Sequence, residues 1–455
     1  MTGSSARLRA LLSGLGVDRA NFAAAAPFDV ATIAGLDPAS VASLTIVGTD
    51  TIDPVSFRGH VGPITLIGTD REPHASRLDA AAAAIPRARR RVLPGYDWFL
   101  WSDVAACHGD VILQAVLDGA AAAGSASRSD SEVREQIGEI AGLRYRVAGS
   151  GPFLVLLPLA LAPSQWTPIL GRLSSSFTVV LIGGPHVGMT STLEDRARSP
   201  SYRRLLEQFI DLLHVNRGDS VLEVGCGTAA PSRILARRTA AARIVAADIS
   251  AFLLDEARLL AETEGVGSRI DVVEGSAEAL PFADASFDVA FSVTVLEECQ
   301  AEAALRELVR VVRPGGRVGA VVRAQDIAPV VNVDVSAELR AAFCGLTGAG
   351  CVQGGCADVS LYRRMAALGL RVLDGMPQFA SVSGLQSVRL SRASLAILSE
   401  LSDPLKAEYK RAEAEAMKRG DLFIAHAYHR CVGVKTGKPL GTSVRRRLEA
   451  MPWAP

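Results

Sequence analysis

The stretch that constrains this chain most is Gly218–Ser250, GDSVLEVGCGTAAPSRILARRTAAARIVAADIS. An apolar run, Ser220–Val224, carries an acid, Glu223, and runs into Gly225 and Gly227, with Ala229 where a third glycine would stand. A helix-forming segment follows, then a second β-rich run, Arg243–Ala247, ending at Asp248. Strand, glycine turn, helix, strand and acid each have a physical use. Glycines allow the sharp turn and close approach of a ligand to the backbone, and the helix opening there presents free N–H groups. An acid about 20 residues on, at the end of the next strand, is placed to accept both hydroxyls of a ribose.

A lone GxG says little, but the pattern continues. Asp271–Phe282 reads as a third strand and a polar turn, and Ser286–Val295 as a fourth strand. Ala301–Val312 reads as an amphipathic helix, and Arg313–Arg317 as a turn into a fifth strand, Val318–Arg323. On these landmarks the stretch from Ser201 to Arg323 resembles a class I S-adenosylmethionine-dependent methyltransferase: VLEVGCGTA the first motif, AADIS the second-strand acid, EGSAEALPF the adenine contact and VVRPGGRV the turn before strand five. The resemblance implies a Rossmann-like seven-stranded α/β sheet and S-adenosyl-L-methionine as cofactor. It implies that Glu223, Gly225, Cys226 and Gly227 line the methionine moiety, and that Asp248, with Ile249 beside it, holds the ribose. Ser276, Ala277 and Glu278 would border the adenine and Ser292 the sulfonium. Two positions depart from the pattern: Ala229 replaces a glycine, and Glu298 stands where many relatives carry histidine.

The 455 residues predict two domains, residues 1–198 and 199–455, the second with a substrate-binding insert at about 325–420. A formal charge of zero argues against non-specific attraction to nucleic acid or an anionic membrane surface. The chain shows no run of apolar residues long enough for a span, and its start lacks a signal-peptide core. Seven cysteines without a disulfide-framework spacing fit a reducing, cytoplasmic setting.

In the first two hundred residues Leu44–Gly48 and Ile64–Gly68 read as neighbouring strands, Ala75–Ile85 and His108–Asp118 as helices, Arg90–Leu93 as a strand and Gly119–Ser131 as a linker. Leu143–Val147, Phe153–Leu157 and Phe177–Ile182 read as strands, with Ser164–Leu173 a helix between the last two. The segment Pro63–Trp101 resembles the closing half of an α/β-hydrolase and Leu143–Ile182 its opening half, in exchanged order. The chemistry of that family is missing. No GxSxG elbow exists, Trp98 stands in place of the histidine, Leu157-Pro158 replaces an oxyanion-loop His-Gly, and only Asp70 matches a triad position. The region is therefore expected to be a structural or substrate-shaping α/β (hydrolase-like) domain.

Tyr202–Leu213 carries apolar residues at helical spacing, as a lid over the cofactor or as plain core. Beyond strand five, Ala337–Phe343, Asp358–Leu368 and Leu405–Lys418 read as helices, and Leu370–Gly375 and Asp421–Lys435 as the closing antiparallel strands. Ligands of open α/β sheets bind beyond the carboxyl ends of the strands, so Gln325, Asp326, Tyr362 and Arg363 are candidate substrate contacts. His426 and His429 are the candidate bases, on opposite faces of one strand. Cys344, Cys351 and Cys356 suggest an alternative, a thiol or arsenite methyltransferase, but C-x6-C-x4-C is no recognised zinc spacing and no metal is expected. A third reading is a non-catalytic cofactor-binding regulator or scaffold. The expected partner is a small organic acceptor, methylated on O, C or N, with oligomeric state open.

Overall fold

The structure is a computed structural model and describes residues 3–26, 29–48, 52, 54–57, 59–72, 74–85, 87–96, 104–124, 135–345, 351–383 and 401–436. The chain divides into two compact units, Met1–Glu194 and Asp195–Pro455, a few residues before the boundary expected from the sequence.

Unit one is a doubly wound sheet. Its strands in chain order are β1 (Ala20–Ala25), β2 (Val41–Val47), β3 (Ile64–Thr69), β4 (Ala88–Leu93), β5 (Gln136–Ile140), β6 (Leu143–Ala148), β7 (Phe153–Leu156) and β8 (Thr178–Gly183), arranged β4-β3-β2-β1-β7-β8-β6-β5. All pairings are parallel except β6 with β8 and β5 with β6. Alternation along the strands sends Phe22, Ala24, Val155 and Val180 into one core and Ala23, Leu154, Leu156 and Val179 into the other. Helices α1 (Ser4–Gly14), α2 (Val30–Ala34) and α3 (His74–Ala84) cover the first face. Helices α4 (Val104–Ala122) and α5 (Thr167–Ser174) cover the second.

The central strand β1 is ANFAAA, buried throughout, and sequence patterning passes over it because alanine is a poor strand former. Tertiary context decides: Asn21 donates through Nδ2 to the Phe153 carbonyl at 3.1 Å and accepts through Oδ1 from Ser43 Oγ at 2.7 Å, pinning β1 between its neighbours. The expected linker at Gly119–Ser131 is corrected in its first part, since α4 runs to Ala122; residues 125–134 lie outside the described residues. By length and composition α4 could cross a membrane, yet it buries Ile112, Ala115 and Val116 against the sheet and kinks at His108. Asp70 Oδ1 accepts the Gly95 N–H at 2.8 Å, the work of a turn residue, and Trp98 lies outside the described residues.

Unit two begins within α6 (Gly188–Arg198) and continues into α7 (Pro200–Leu213). Its strands are β9 (Ser220–Val224), β10 (Arg243–Asp248), β11 (Ile270–Glu274), β12 (Phe287–Val293), β13 (Val312–Arg323), β14 (Val330–Val331), β15 (Leu370–Ser383) and β16 (Phe423–Lys435). The order is β11-β10-β9-β12-β13-β16-β14, with β15 also paired to β16. Strands β9–β13 pair in parallel and β16 runs antiparallel to β13 and β15, so the expected seven strands are present together with the two-residue β14. Strand β15 reaches Ser383, well beyond the expected Gly375.

Helices α7, α8 (Ala230–Arg238) and α9 (Ala251–Thr263) pack on one face, and α10 (Ala301–Val311) and α12 (Ser360–Ala367) on the other. Helix α7 buries Tyr202, Leu205, Leu206, Phe209, Ile210 and Leu213, and a Cβ on Gly319 would stand 2.6 Å from Leu213 and 2.7 Å from Phe209. Such close packing makes it a core helix. Helix α11 (Ala337–Gly345) and α13 (Asp403–Arg419) share a small core of Val333, Leu339, Leu401, Tyr409, Ala412, Ala416 and Leu422.

Candidate active site

The site is built at the carboxyl ends of β9, β10, β12 and β13. Gly225 (φ +71°) and Gly227 (φ +54°) turn the chain out of β9, and a Cβ at Gly225 would run into the Val295 side chain. Ala229 also sits in the left-handed region (φ 57°), so the missing third glycine leaves local strain where α8 begins. Asp248 braces this turn. Its Oδ2 accepts the Gly227 N–H at 2.7 Å and its Oδ1 the Ser250 N–H at 2.9 Å. Each oxygen uses one lone pair and keeps another. Beside it Ile249, an apolar side chain, is 65% exposed at the lip of the turn.

Glu223 lies beneath the turn, buried, with Oε2 accepting the Ser232 N–H at 2.9 Å and the Ser232 hydroxyl. Burial, opposed by those hydrogen bonds, pushes its carboxyl up to about 8. Cys226 is buried, its thiol donates to the Gly227 carbonyl at 3.8 Å, and burial raises it well above the ordinary thiol range. After β11, the Ser276 hydroxyl accepts the Glu278 N–H at 3.2 Å, and Glu278 Oε1 accepts the Gln300 N–H at 2.9 Å. Ala277 packs against the α10-side core. Ser292 is buried in β12 with a hydroxyl that has no hydrogen-bond partner.

The candidate acceptor residues separate into two groups. His429, Tyr362 and Asp326 meet on the α12 side. Tyr362 Oη lies 2.8 Å from His429 Nδ1, and His429 Nε2 lies 2.8 Å from Asp326 Oδ1. Asp326 Oδ2 also accepts the Val359 N–H at 3.0 Å. Both ring nitrogens of His429 are engaged and its side chain is buried. Together the three residues fasten α12 and the end of β13 to β16. Arg363 sits one position beyond Tyr362 on α12, half-buried.

His426 lies on the opposite face of β16. Burial, aided by Arg323, lowers it to about 4, so it is neutral at physiological pH. Around it stand residues that periodicity did not single out. Arg323 is directly opposite Tyr428 in the β13–β16 register, and the Tyr428 ring packs edge-on against Tyr202 with centroids 5.4 Å apart. Glu297, buried, accepts the Arg323 main-chain N–H through Oε1 at 2.7 Å, and its Oε2 has no partner. Both polar atoms of the Gln325 amide are likewise buried without a partner.

Among the described residues no group of three or more His, Cys, Asp or Glu side chains is arranged to hold a metal ion. The Cys344 side chain and residues 346–350 lie outside the description. Cys356 is pushed up to about 11 by burial, and Cys351 is also raised.

Comparison with known proteins agrees with the geometry of the glycine turn. Over 147 residues the chain is 34% identical to the methyltransferase GfsG of Streptomyces halstedii, covering 32% of this chain and 51% of that one. It is 36% identical over 137 residues to the ubiquinone/menaquinone biosynthesis C-methyltransferase UbiE of Hahella chejuensis (30% and 55% covered). The crystal structure of the YcgJ protein from Bacillus subtilis superposes with a TM-score of 0.38 at 18% identity, covering 52% of this chain and 100% of that one. The chain spans about half the length of these curated relatives. The family model described as the methyltransferase domain matches residues 222–320, from β9 into β13.

Proposed function

We propose that the protein is an S-adenosyl-L-methionine-dependent methyltransferase acting on a small organic acceptor. The observation that carries this reading is the match over 222–320 falling on the braced turn Gly225–Gly227 with Asp248 at its lip. The residues fit the cofactor. Asp248 keeps lone pairs for two ribose hydroxyls, the exposed Ile249 offers an apolar platform for a purine, and the glycines let a ligand approach the backbone. The unpartnered Ser292 hydroxyl gives a polar contact further along the same strand ends.

When bound, the cofactor supplies an electrophilic methyl group. The chain's own part is to hold the acceptor in line and to exclude water; holding reactants at near-attack distance can supply about 7–11 kcal/mol of a barrier. His426, neutral and half-buried, is the group on this side able to receive a proton from an acceptor that must lose one. The acceptor pocket then lies beyond β12, β13 and β16, on the His426 face.

We further read unit one as a rearranged hydrolase-like layer without catalysis. The strands of the closing-half resemblance, β3 and β4, and those of the opening half, β6–β8, lie in one sheet with β1 and β2 between them, which supports that reading. A cytoplasmic setting without nucleic-acid or membrane partners is part of the proposal.

The test is incubation with methyl-labelled S-adenosylmethionine and a cell extract fractionated by size. Label should enter the small-molecule fraction. Label entering only protein or nucleic acid, or none at all, contradicts the reading.

A further inference from the structure

The polar groups on the His426 face are unusual in having nothing to bind. Buried polar atoms in folded proteins are hydrogen bonded in the great majority of cases, yet here several fail together. Glu297 Oε2, both polar atoms of the Gln325 amide and Arg196 Nε are buried without a partner. The Arg323 guanidinium, the Tyr202 and Tyr428 hydroxyls and the His426 ring, which are not among the fully buried atoms, make no hydrogen bond to a described residue. Arg323 and Tyr428 are cross-strand neighbours, Tyr202 reaches in from α7 to meet Tyr428, and Glu297 is tied to the Arg323 main chain. These side chains therefore surround one place at the end of β13, next to the glycine-turn site.

We propose that the methyl acceptor carries a carboxylate, which docks on the Arg323 guanidinium between the hydroxyls of Tyr202 and Tyr428. The inference rests on the methyltransferase reading and names the substrate class for that site.

Charge decides the class. A guanidinium stays protonated at any physiological pH and presents five N–H donors in a fork that matches a carboxylate. The Arg323 side chain is half-buried, and a bidentate carboxylate satisfies its fork of donors and brings the opposite charge. Glu297 turns one oxygen to the Arg323 main-chain N–H, and Arg196, its guanidinium 5.0 Å from the centre of the Tyr202 ring, adds a second cation on this face. His426 is kept neutral by burial and by Arg323 itself. Burial likewise holds the Tyr202 hydroxyl protonated, up to about 12, as a donor. Two permanent cations, Arg323 and Arg196, stand here beside the one buried carboxylate of Glu297, and that balance selects an anion.

The test uses the full chain saturated with S-adenosylhomocysteine and two probes of one shape, benzoate and benzamide, titrated by calorimetry. Benzoate should bind at least about tenfold more tightly than benzamide, since a charge-assisted bidentate pair outweighs a neutral one by that much or more. Arg323→Gln should abolish the preference while S-adenosylhomocysteine affinity stays unchanged, and Arg323→Lys should restore part of it. Equal binding of the two probes, no benzoate binding, or a preference that survives Arg323→Gln overturns the proposal. The wild-type contrast stands even where a variant fails to fold. Failure of S-adenosylhomocysteine to bind the wild type would instead strike the methyltransferase reading, so the two failures are distinguishable.

Discussion

Asp248 Oδ2 holds the main-chain N–H of Gly227 at 2.7 Å, linking the end of β10 to the glycine turn that leaves β9. The residue expected to grip the cofactor is thus also the brace that shapes the turn. Binding and local stability are coupled here, and substitutions at the turn affect both.

Two neighbouring positions should move in opposite directions. Gly225→Ala places a Cβ against Val295 at a φ of +71°. It should cost about 2–4 kcal/mol in denaturant unfolding and remove cofactor binding. Ala229→Gly relieves a left-handed alanine at φ 57° and should stabilise the protein by about 1 kcal/mol. A destabilised Ala229→Gly variant would contradict the geometry of the turn.

Glu223 sets a pH dependence. Its folded carboxyl is raised to about 8 from an ordinary value of 4.5, so between these values the folded protein binds more protons than the unfolded chain. Stability from this group is present below the unfolded value and falls as pH rises through the folded one. Thermal midpoints should decline from about pH 5 to pH 8, and Glu223→Gln should flatten that slope. An equal slope in the variant would assign the dependence elsewhere.

The two histidines should separate cleanly. His429→Phe strands Tyr362 and Asp326 and should cost about 1–3 kcal/mol of stability. His426→Gln should leave stability nearly unchanged and lower turnover. Because His426 is held near 4, the wild-type rate should show no inflection from it between about pH 5.5 and 7.5. Turnover insensitive to His426→Gln would remove it from the chemistry.

The thiols should be dispensable. Burial raises Cys351 and takes Cys356 to about 11, so neither is a thiolate at neutral pH. The Cys351→Ser, Cys356→Ser double variant should keep full methyl transfer in the labelled-cofactor assay. Lost activity in a folded double variant would revive the thiol or arsenite reading.

The core of the methyltransferase domain was legible because its signals are local: Glu223 to Asp248 lies on one strand–turn–helix–strand unit whose glycines and acid occur in order. The parity of β16 likewise put His426 and His429 on opposite faces. What could not be read was which face met the pocket, since that depends on α7 and α12 packing on opposite sides of the strand. Arg323 ends β13, Tyr428 lies within β16, Glu297 follows β12 and Tyr202 is on α7, so only the fold brings these distant positions together. Strand β1 was missed for another reason: an alanine run carries no strand signal, and its place is fixed by Asn21 and by its neighbours.

The most direct test of the central claim is calorimetric titration of the full chain with S-adenosylmethionine, in the wild type and in Asp248→Ala. The account predicts micromolar binding by the wild type that is lost in the variant. A wild type that does not bind, or a folded Asp248→Ala variant that binds equally well, would contradict it.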